Sequence, residues 1–374
     1  MNKIYQSEIE QLKISNNYRE LSIQKGIDFC SNDYLGLSKS KKISEELILF
    51  LSEIKSLGST GSRLISGHSE IIQQIELEIA EIFQFEACTL FGSGYLANIG
   101  IIQALSNEQT CFFSDELNHA SIIDGLRLSR SNKIIFKHND YNDLENKLSK
   151  SKHQIKIIIL EAIYSMDGDS PNLKQIAILC AKYSCILIID ESHSIGILGQ
   201  QGKGLASDYR QLFQQLITIN PCGKAIGAYG AFINSSNLIK QLIINKSRSF
   251  IYSTAVSSPM IAHIIIALRE MINSENQRLL LAENISYFKS KLDNIYLGKH
   301  VGFISMLNNE HAILIANQLK KQGIAVKAIR SPTVQKGKER IRICLQSTHS
   351  KQELDKLTQQ IKNVQKVEPQ GILE

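Results

Sequence analysis

A chain of 374 residues with a formal net charge of +6 is long enough to bury a sizeable core, and one large domain with a smaller one beside it is expected. Hydrophobic content of 43% against 21% charged residues excludes a chain disordered throughout. The lysines are interspersed with glutamates, so no nucleic-acid-binding face is expected, while the mild positive excess suits an anionic substrate such as a coenzyme A thioester or an acidic carrier protein.

The N-terminus, Met1-Asn2-Lys3-Ile4-Tyr5, alternates polar with apolar residues and has neither a signal-peptide core nor a stretch able to span a bilayer. No membrane association and a cytoplasmic location are therefore expected. Residues before about Asp28 are too few for a domain of their own. From Ser69 the spacing of Ile71, Ile72, Ile75, Leu77, Ile79 and Phe83 predicts a helix capped by Ser69. Short apolar runs follow, each ending in polar or glycine-containing turns: Ala87 to Phe91, Thr110 to Phe113, Lys133 to Phe136, Ile155 to Leu160, Cys185 to Ile189 and Leu216 to Ile219. They read as strands buried on both faces.

Helical stretches such as Leu173 to Tyr183 separate these runs, which predicts an α/β fold with a mostly parallel central sheet flanked by helices. A long amphipathic pattern from Asn273 to Asn294 leads into a helix-like stretch, His311 to Gln322, and a strand-like one, Arg340 to Leu345. These predict a smaller α+β C-terminal domain. The expected boundaries are an N-terminal segment 1–38, a large domain 39–275 and a small domain 276–374. The cysteines, Cys30, Cys88, Cys111, Cys180, Cys185, Cys222 and Cys344, include no C-x-x-C pair and read as reduced core residues, with no metal site.

In parallel sheets ligands gather at the carboxyl ends of strands. The Cys185 run ends in Asp190-Glu191-Ser192-His193, and about one strand-helix-strand unit later stands Pro221-Cys222-Gly223-Lys224-Ala225-Ile226-Gly227. By itself Asp190 reads better as a helix cap than as a catalytic carboxylate, and the plain reading of Lys224 is a surface lysine in a glycine-rich turn. Together they supply what pyridoxal phosphate needs, an amine of lowered pKa for the aldehyde and a carboxylate to keep the ring nitrogen protonated. Phe91-Gly92-Ser93-Gly94-Tyr95, ahead of a helix beginning near Leu96, offers backbone N–H groups and hydroxyls to a phosphate. His119 follows another strand end, where an imidazole stacks on such a ring, and Ser165 in Tyr164-Ser165-Met166-Asp167-Gly168-Asp169 adds a hydroxyl.

These segments, in this order and over nearly the whole chain, resemble the α-oxoamine synthases, which are fold-type I pyridoxal-phosphate enzymes. The resemblance is carried by Ser31-Asn32-Asp33-Tyr34-Leu35-Gly36-Leu37, Gly58-Ser59-Thr60-Gly61-Ser62-Arg63, the His119 segment, Ser165 to Asp169, Asp190 to His193 and Gly223-Lys224. It implies a fold-type I transferase, pyridoxal 5'-phosphate as cofactor, and a homodimer with the Tyr252 to Thr254 segment crossing between subunits. Gly61 to Gly67, Phe250 to Ala255 and Ile329 to Val334 resemble the biotin-pathway branch, which joins L-alanine to a pimeloyl thioester, on coenzyme A or acyl carrier protein, with loss of carbon dioxide.

By position the resemblance makes Lys224 the Schiff-base lysine, Asp190 the partner of the ring nitrogen, His119 the stacking imidazole and His193 the group bonded to the phenolic oxygen. Ser93, Gly94, Tyr95, Ser165, Ser253 and Thr254 become cofactor contacts, Arg342 the grip on the amino acid carboxylate, and Arg19 a contact for the acyl substrate. One position departs. Three residues before the lysine the family carries threonine or serine on the phosphate, and here Pro221 stands, with no hydroxyl and no N–H; Asn220, Ser253 and Thr254 are the candidates to replace it. Rival readings are a glycine- or serine-using sister enzyme, a catalytically weakened scaffold subunit, and a nicotinamide oxidoreductase, the last disfavoured because Gly92-Ser93-Gly94 lacks the third glycine of G-x-G-x-x-G.

Overall fold

The computed structural model describes residues 2–54, 56–292 and 295–367. Met1, Asn294 and residues 368–374, on which parts of the reading above fall, lie outside the described residues. The chain divides into two compact units, one of Leu35–Ser165 with Asp169–Arg278 and one of Met1–Tyr34, Met166–Gly168 and Leu279–Glu374.

The larger unit is built on a seven-stranded sheet of β1 (Ala87–Phe91), β2 (Thr110–Asp115), β3 (Asn132–Phe136), β4 (Ile155–Glu161), β5 (Ile186–Asp190), β6 (Leu216–Pro221) and β7 (Ala231–Ser235). Their spatial order is β1-β7-β6-β5-β4-β2-β3. Strands β2 to β6 are parallel, and β7 runs antiparallel between β1 and β6. Within each all-apolar strand alternate residues feed opposite cores. Ile157, Ile159 and Ile188 join Ala97, Ile101 and Ile122 of the helices on one face, while Ile158, Leu160, Leu187 and Ile189 join Leu144, Ile176 and Leu179 on the other.

All six predicted runs are strands, but two details differ. Strand β3 is not buried on both faces: it forms the sheet edge, and of its residues only Phe136 is buried. Strand β7 is absent from the sequence reading because it holds only three apolar residues. Its Asn234 is fully buried and donates to Thr218 Oγ1 of β6 at 3.4 Å, a partner supplied only by the neighbouring strand. The helix predicted from Ser69 spans Glu70–Phe83, with the Ser69 hydroxyl accepting from Ile72 N at 3.4 Å. Helices Lys41–Glu53 and Ser258–Ile272 of this unit were not predicted.

In the smaller unit β8 (Tyr296–Leu297), β9 (Val301–Ser305), β10 (Lys327–Ile329) and β11 (Arg340–Cys344) form an antiparallel sheet in the order β10-β11-β9-β8. The helix expected over His311 to Gln322 spans Asn309–Lys321. The N-terminus, whose polar-apolar alternation carried no helix in the sequence reading, is helical over Asn2–Ile14 and exposed throughout that helix. No helix among the described residues is long and apolar enough to cross a membrane.

One half-buried charge cluster braces the turn after β4. His138 reaches Asp115 at the end of β2 through Nδ1 at 3.0 Å and Asp169 through Nε2 at 2.8 Å, with Tyr164 edge-on to its ring. Burial alone would push the imidazole down, but hydrogen bonds and charge from both aspartates raise it to about 10. A raised histidine contributes stability that is fully present below its unfolded value of about 6.5 and is lost as pH rises through the folded value. His138→Gln is therefore expected to destabilise by about 1.5–3 kcal/mol near neutral pH. The gap in melting temperature from the native protein should narrow as pH approaches 10; a gap that widens would contradict the cluster's charge state.

Candidate active site

Strands β1, β2, β4, β5 and β6 all direct their carboxyl ends, or the turns after them, to one cavity of about 170 Å³. Its walls are Gly94, Tyr95 and Asn98 after β1, His119 and Ser121 after β2, Glu161 ending β4, Asp190, Ser192 and His193 at the end of β5, and Pro221 and Lys224 at the end of β6. The structure thus gathers Lys224, Asp190, His119, His193, Gly94 and Tyr95 from the sequence reading. It adds Asn98, Ser121 and Glu161, which that reading missed.

Asp190 is nearly inaccessible, and both its oxygens accept hydrogen bonds, Oδ1 from Ser192 N at 2.8 Å and Oδ2 from Asn98 Nδ2 at 2.7 Å. That is the pattern of a carboxylate. The same Asn98 amide donates to Ser121 Oγ at 3.0 Å, and Ser121 Oγ lies 2.8 Å from His119 Nδ1. His119 caps the Ala120–Leu128 helix, its Nδ1 accepting from Ser121 N at 3.2 Å, so the ring plane is set by backbone and network together. Burial pushes this imidazole below its usual range, Asp190 opposes the shift and Lys224 adds to it. A buried Asn98 within an otherwise apolar helix was the sequence signal that could have found this link.

Lys224 is half-buried in a turn closed by Gly227 N donating to Lys224 O at 2.9 Å. Gly227 has φ +72°, and a Cβ there would lie 2.4 Å from Ser38 N, so the turn requires glycine. The helix after β1 spans Gly94–Leu105, starting two residues before the predicted Leu96 because Ser93 is its cap, accepting from Leu96 N at 3.3 Å. Its N–H groups open at the cavity, the polarity that receives an anion. Tyr95 is exposed and its hydroxyl donates to Asp124.

Pro221 lies on the cavity wall against that helix start, where a Cβ on Gly94 would come 2.5 Å from the proline Cγ. Asn220 does not take its place: the side chain is buried in the sheet and donates to Thr218 Oγ1 at 2.9 Å. Pro221→Ser, which restores a hydroxyl, is expected to tighten cofactor binding by roughly ten- to a hundredfold, the worth of a hydrogen bond to a charged group. Equilibrium titration of cofactor-free protein measures it, and equal affinities would remove Pro221 from the phosphate.

Other expected residues are not among those lining this cavity. Next to its wall, the Ser93 hydroxyl accepts in the helix cap and keeps its O–H for another acceptor, and the backbone N–H of Ser165 hydrogen-bonds the Glu161 carboxyl. Ser253 and Thr254 line a separate small cavity with Arg63, Phe91 and Phe250, so the structure does not bring them to Lys224 of their own chain. Arg19 and Arg342 belong to the smaller unit. There Arg19 is exposed and donates to Thr333 Oγ1 at 3.1 Å, while Arg342 on β11 is buried and donates to Asn32 Oδ1 at 3.1 Å.

The donor set fits pyridoxal phosphate: a lysine amine, a doubly hydrogen-bonded carboxylate, an imidazole and a helix start for the phosphate. Two buried oxygens on the wall, Glu161 Oε1 and Asn98 Oδ1, also lack protein partners and await a polar occupant.

The class I and II aminotransferase family model matches residues 24–361. A putative 8-amino-7-oxononanoate synthase of Aquifex aeolicus is 38% identical, covering 96% of this chain and 98% of its own length. An 8-amino-7-oxononanoate synthase of Lysinibacillus sphaericus is 37% identical over 90% of this chain and 88% of its own. Among solved structures, a serine palmitoyltransferase from S. paucimobilis superposes with a TM-score of 0.87 at 20% identity, covering 97% of this chain and 96% of its own, which shows the fold. The 8-amino-7-oxononanoate synthase from Francisella tularensis superposes with a TM-score of 0.75 at 27% identity, over 91% of this chain and 97% of its own. The chain therefore belongs to the class I and II aminotransferase family and, within it, to the 8-amino-7-oxononanoate synthases, fold-type I acyltransferases that use pyridoxal 5'-phosphate.

Proposed function

We propose that the protein condenses L-alanine with a pimeloyl thioester to give 8-amino-7-oxononanoate, carbon dioxide and the free thiol carrier. The observation that carries this reading is the full-length similarity to proteins of that name, joined to a cavity holding Lys224, Asp190 and His119 together. In the net reaction a bond forms between the alanine Cα and the acyl carbon, the thiol departs, and the alanine carboxyl leaves as carbon dioxide.

Pyridoxal phosphate, when bound, supplies an aldehyde that captures amines covalently and a ring that takes up the electron pair released at Cα. The protein's residues do the rest. Lys224 Nζ takes the Cα proton of alanine and later returns it. Asp190, held by Asn98 and Ser192, keeps a proton on the ring nitrogen, and His119 covers one ring face. His193 bonds the phenolic oxygen, and the Ser93-Gly94-Tyr95 turn with Ser165 cradles the cofactor. Arg342 takes the alanine carboxylate and Arg19 the acyl substrate. We also propose a homodimer in which Ser253 and Thr254 of one copy serve the cofactor of the other, which accords with their lying away from Lys224 of their own chain. The acyl carrier is coenzyme A or an acyl carrier protein.

The deciding assay supplies purified, cofactor-loaded protein with L-alanine and either pimeloyl thioester, and identifies the product by mass spectrometry. Formation of 8-amino-7-oxononanoate with alanine, and not with glycine or serine, is the expected outcome. Turnover with glycine or serine and a different acyl-CoA would replace this reading with a sister enzyme.

A further inference from the structure

Glu161 has no part in the chemistry just described, yet it lines the same cavity. It ends β4 in register with Asp190 at the end of β5, so two carboxyl groups stand side by side on one wall. Neighbouring strands are only about 4.8 Å apart. Glu161 is 2% exposed and Asp190 3%, and water screens neither. Their settings differ in kind. Asp190 accepts from a side-chain amide and a backbone N–H, one on each oxygen. Glu161 receives the backbone N–H groups of His119 and Ser165, yet its Oε1 is buried with no partner. A bare buried carboxylate oxygen costs far more than a bare buried hydroxyl, and the hydroxyl recovers that cost once an acceptor enters the cavity.

We propose that Glu161 is a positioning residue of the cofactor site, standing in the cavity as a neutral carboxylic acid whose Oε1 hydroxyl donates to an acceptor on the bound cofactor while Asp190 alone carries the negative charge. The proposal rests on the reading that the Lys224 cavity holds the cofactor. It follows from the charges that face Glu161: Asp190 from β5, Lys224 from the turn after β6, His119 from the helix after β2, and Tyr164 from its own turn. With a neutral imidazole, two carboxylates against one lysine would leave a buried surplus of negative charge, and one proton removes it. Burial first, then the Asp190 charge, push Glu161 up to about 8, with Lys224 and the two N–H groups opposing. Keeping the second carboxyl neutral leaves one anion to match the one cation on the ring nitrogen.

The first test is infrared spectroscopy of the cofactor-free protein, which is independent of the function reading. Native protein at neutral pH should show a protonated-carboxyl band that fades as pH rises through about 8 and is missing from Glu161→Gln. Glu191 is also buried and pushed up to about 7 by burial, so its band fades at lower pH and remains in the variant. The second test titrates cofactor into native and variant proteins across pH. Native affinity should fall up to about tenfold per pH unit above the Glu161 value, the slope of one linked proton. Glu161→Gln keeps a neutral donor and should bind without that fall. If Glu161→Gln does not fold, Asp190→Asn serves, since removing the neighbouring charge should move the Glu161 band's midpoint downward. Absence of the band at neutral pH, or the same pH dependence in Glu161→Gln, overturns the proposal. Cofactor that fails to bind at any pH while the band behaves as described would instead overturn the function reading and leave the neutral acid standing.

Discussion

Lys224→Ala is expected to lower turnover by at least about 10⁴-fold, because it removes both the covalent anchor of the cofactor and the base at Cα. Lys224 is the only amine among the residues lining the cavity, so none of them can replace the covalent anchor, and the base at Cα could pass only to an imidazole, His119 or His193. Lys224→Arg separates charge from chemistry: it keeps the cation opposite Asp190 and Glu161 but offers no nucleophile, since guanidinium stays protonated. Both variants should fail equally. Reduction of the loaded native protein with borohydride, followed by peptide mass spectrometry, should find the cofactor on Lys224. A variant retaining more than about a hundredth of native turnover would assign the base elsewhere.

Glu76→Ala is expected to cost about 3–5 kcal/mol of stability, the scale for breaking a buried ion cluster by removing one partner. The carboxyl of Glu76 is 2% exposed and accepts from Arg63 NH1 at 2.8 Å, Arg63 NH2 at 3.2 Å, Lys240 Nζ at 2.9 Å and Leu90 N at 2.9 Å. It therefore ties the Gly58 to Gly67 loop, its own helix, β1 and the helix Asn237–Lys246 to one point. Burial pushes the carboxyl up, but Arg63 and Lys240 outweigh burial and hold it below the usual range. A depressed carboxyl contributes stability that is present above its unfolded value of about 4.3 and lost as pH falls through the folded value. Urea unfolding should show the full deficit at neutral pH and a smaller one in acid. A deficit under about 1 kcal/mol would mean that the cluster relaxes or floods with water.

That cluster also bears on assembly. Ser62 of the same loop bridges Thr254, and Ala255 N donates to Gly61 O at 3.0 Å. In the proposed homodimer this would let Glu76 set the position of Ser253 and Thr254, so Glu76→Gln, which keeps an acceptor but loses the charge, should weaken cofactor binding more than it weakens the fold.

Much of the larger unit was legible residue by residue. Unbroken runs such as Ile155 to Leu160 can be stable only between two apolar layers, and polar residues that follow such runs stand at strand ends by necessity. Asp190, His119 and Lys224 were accessible to that logic because each occupies such an end or the turn after it. The edge strand β3 was misjudged because four apolar or amphipathic residues in a row look alike at the middle and at the margin of a sheet. Antiparallel β7 was missed because its buried Asn234 is tolerable only beside Thr218, a neighbour that the chain order does not reveal.

What the sequence by itself determined was the alternation of strands and helices, the lysine and carboxylate that pyridoxal phosphate needs, and the family resemblance that the relatives then established. Only the tertiary structure decided which strand lies beside which. That choice makes Glu161 the neighbour of Asp190, carries Asn98 from an apolar helix to the same carboxylate, and turns Asn220 away while Pro221 faces Gly94. The physical reason is common to all of them: hydrogen bonds and buried charges act over a few ångströms in space, and those distances depend on strand order and register, which no local pattern encodes.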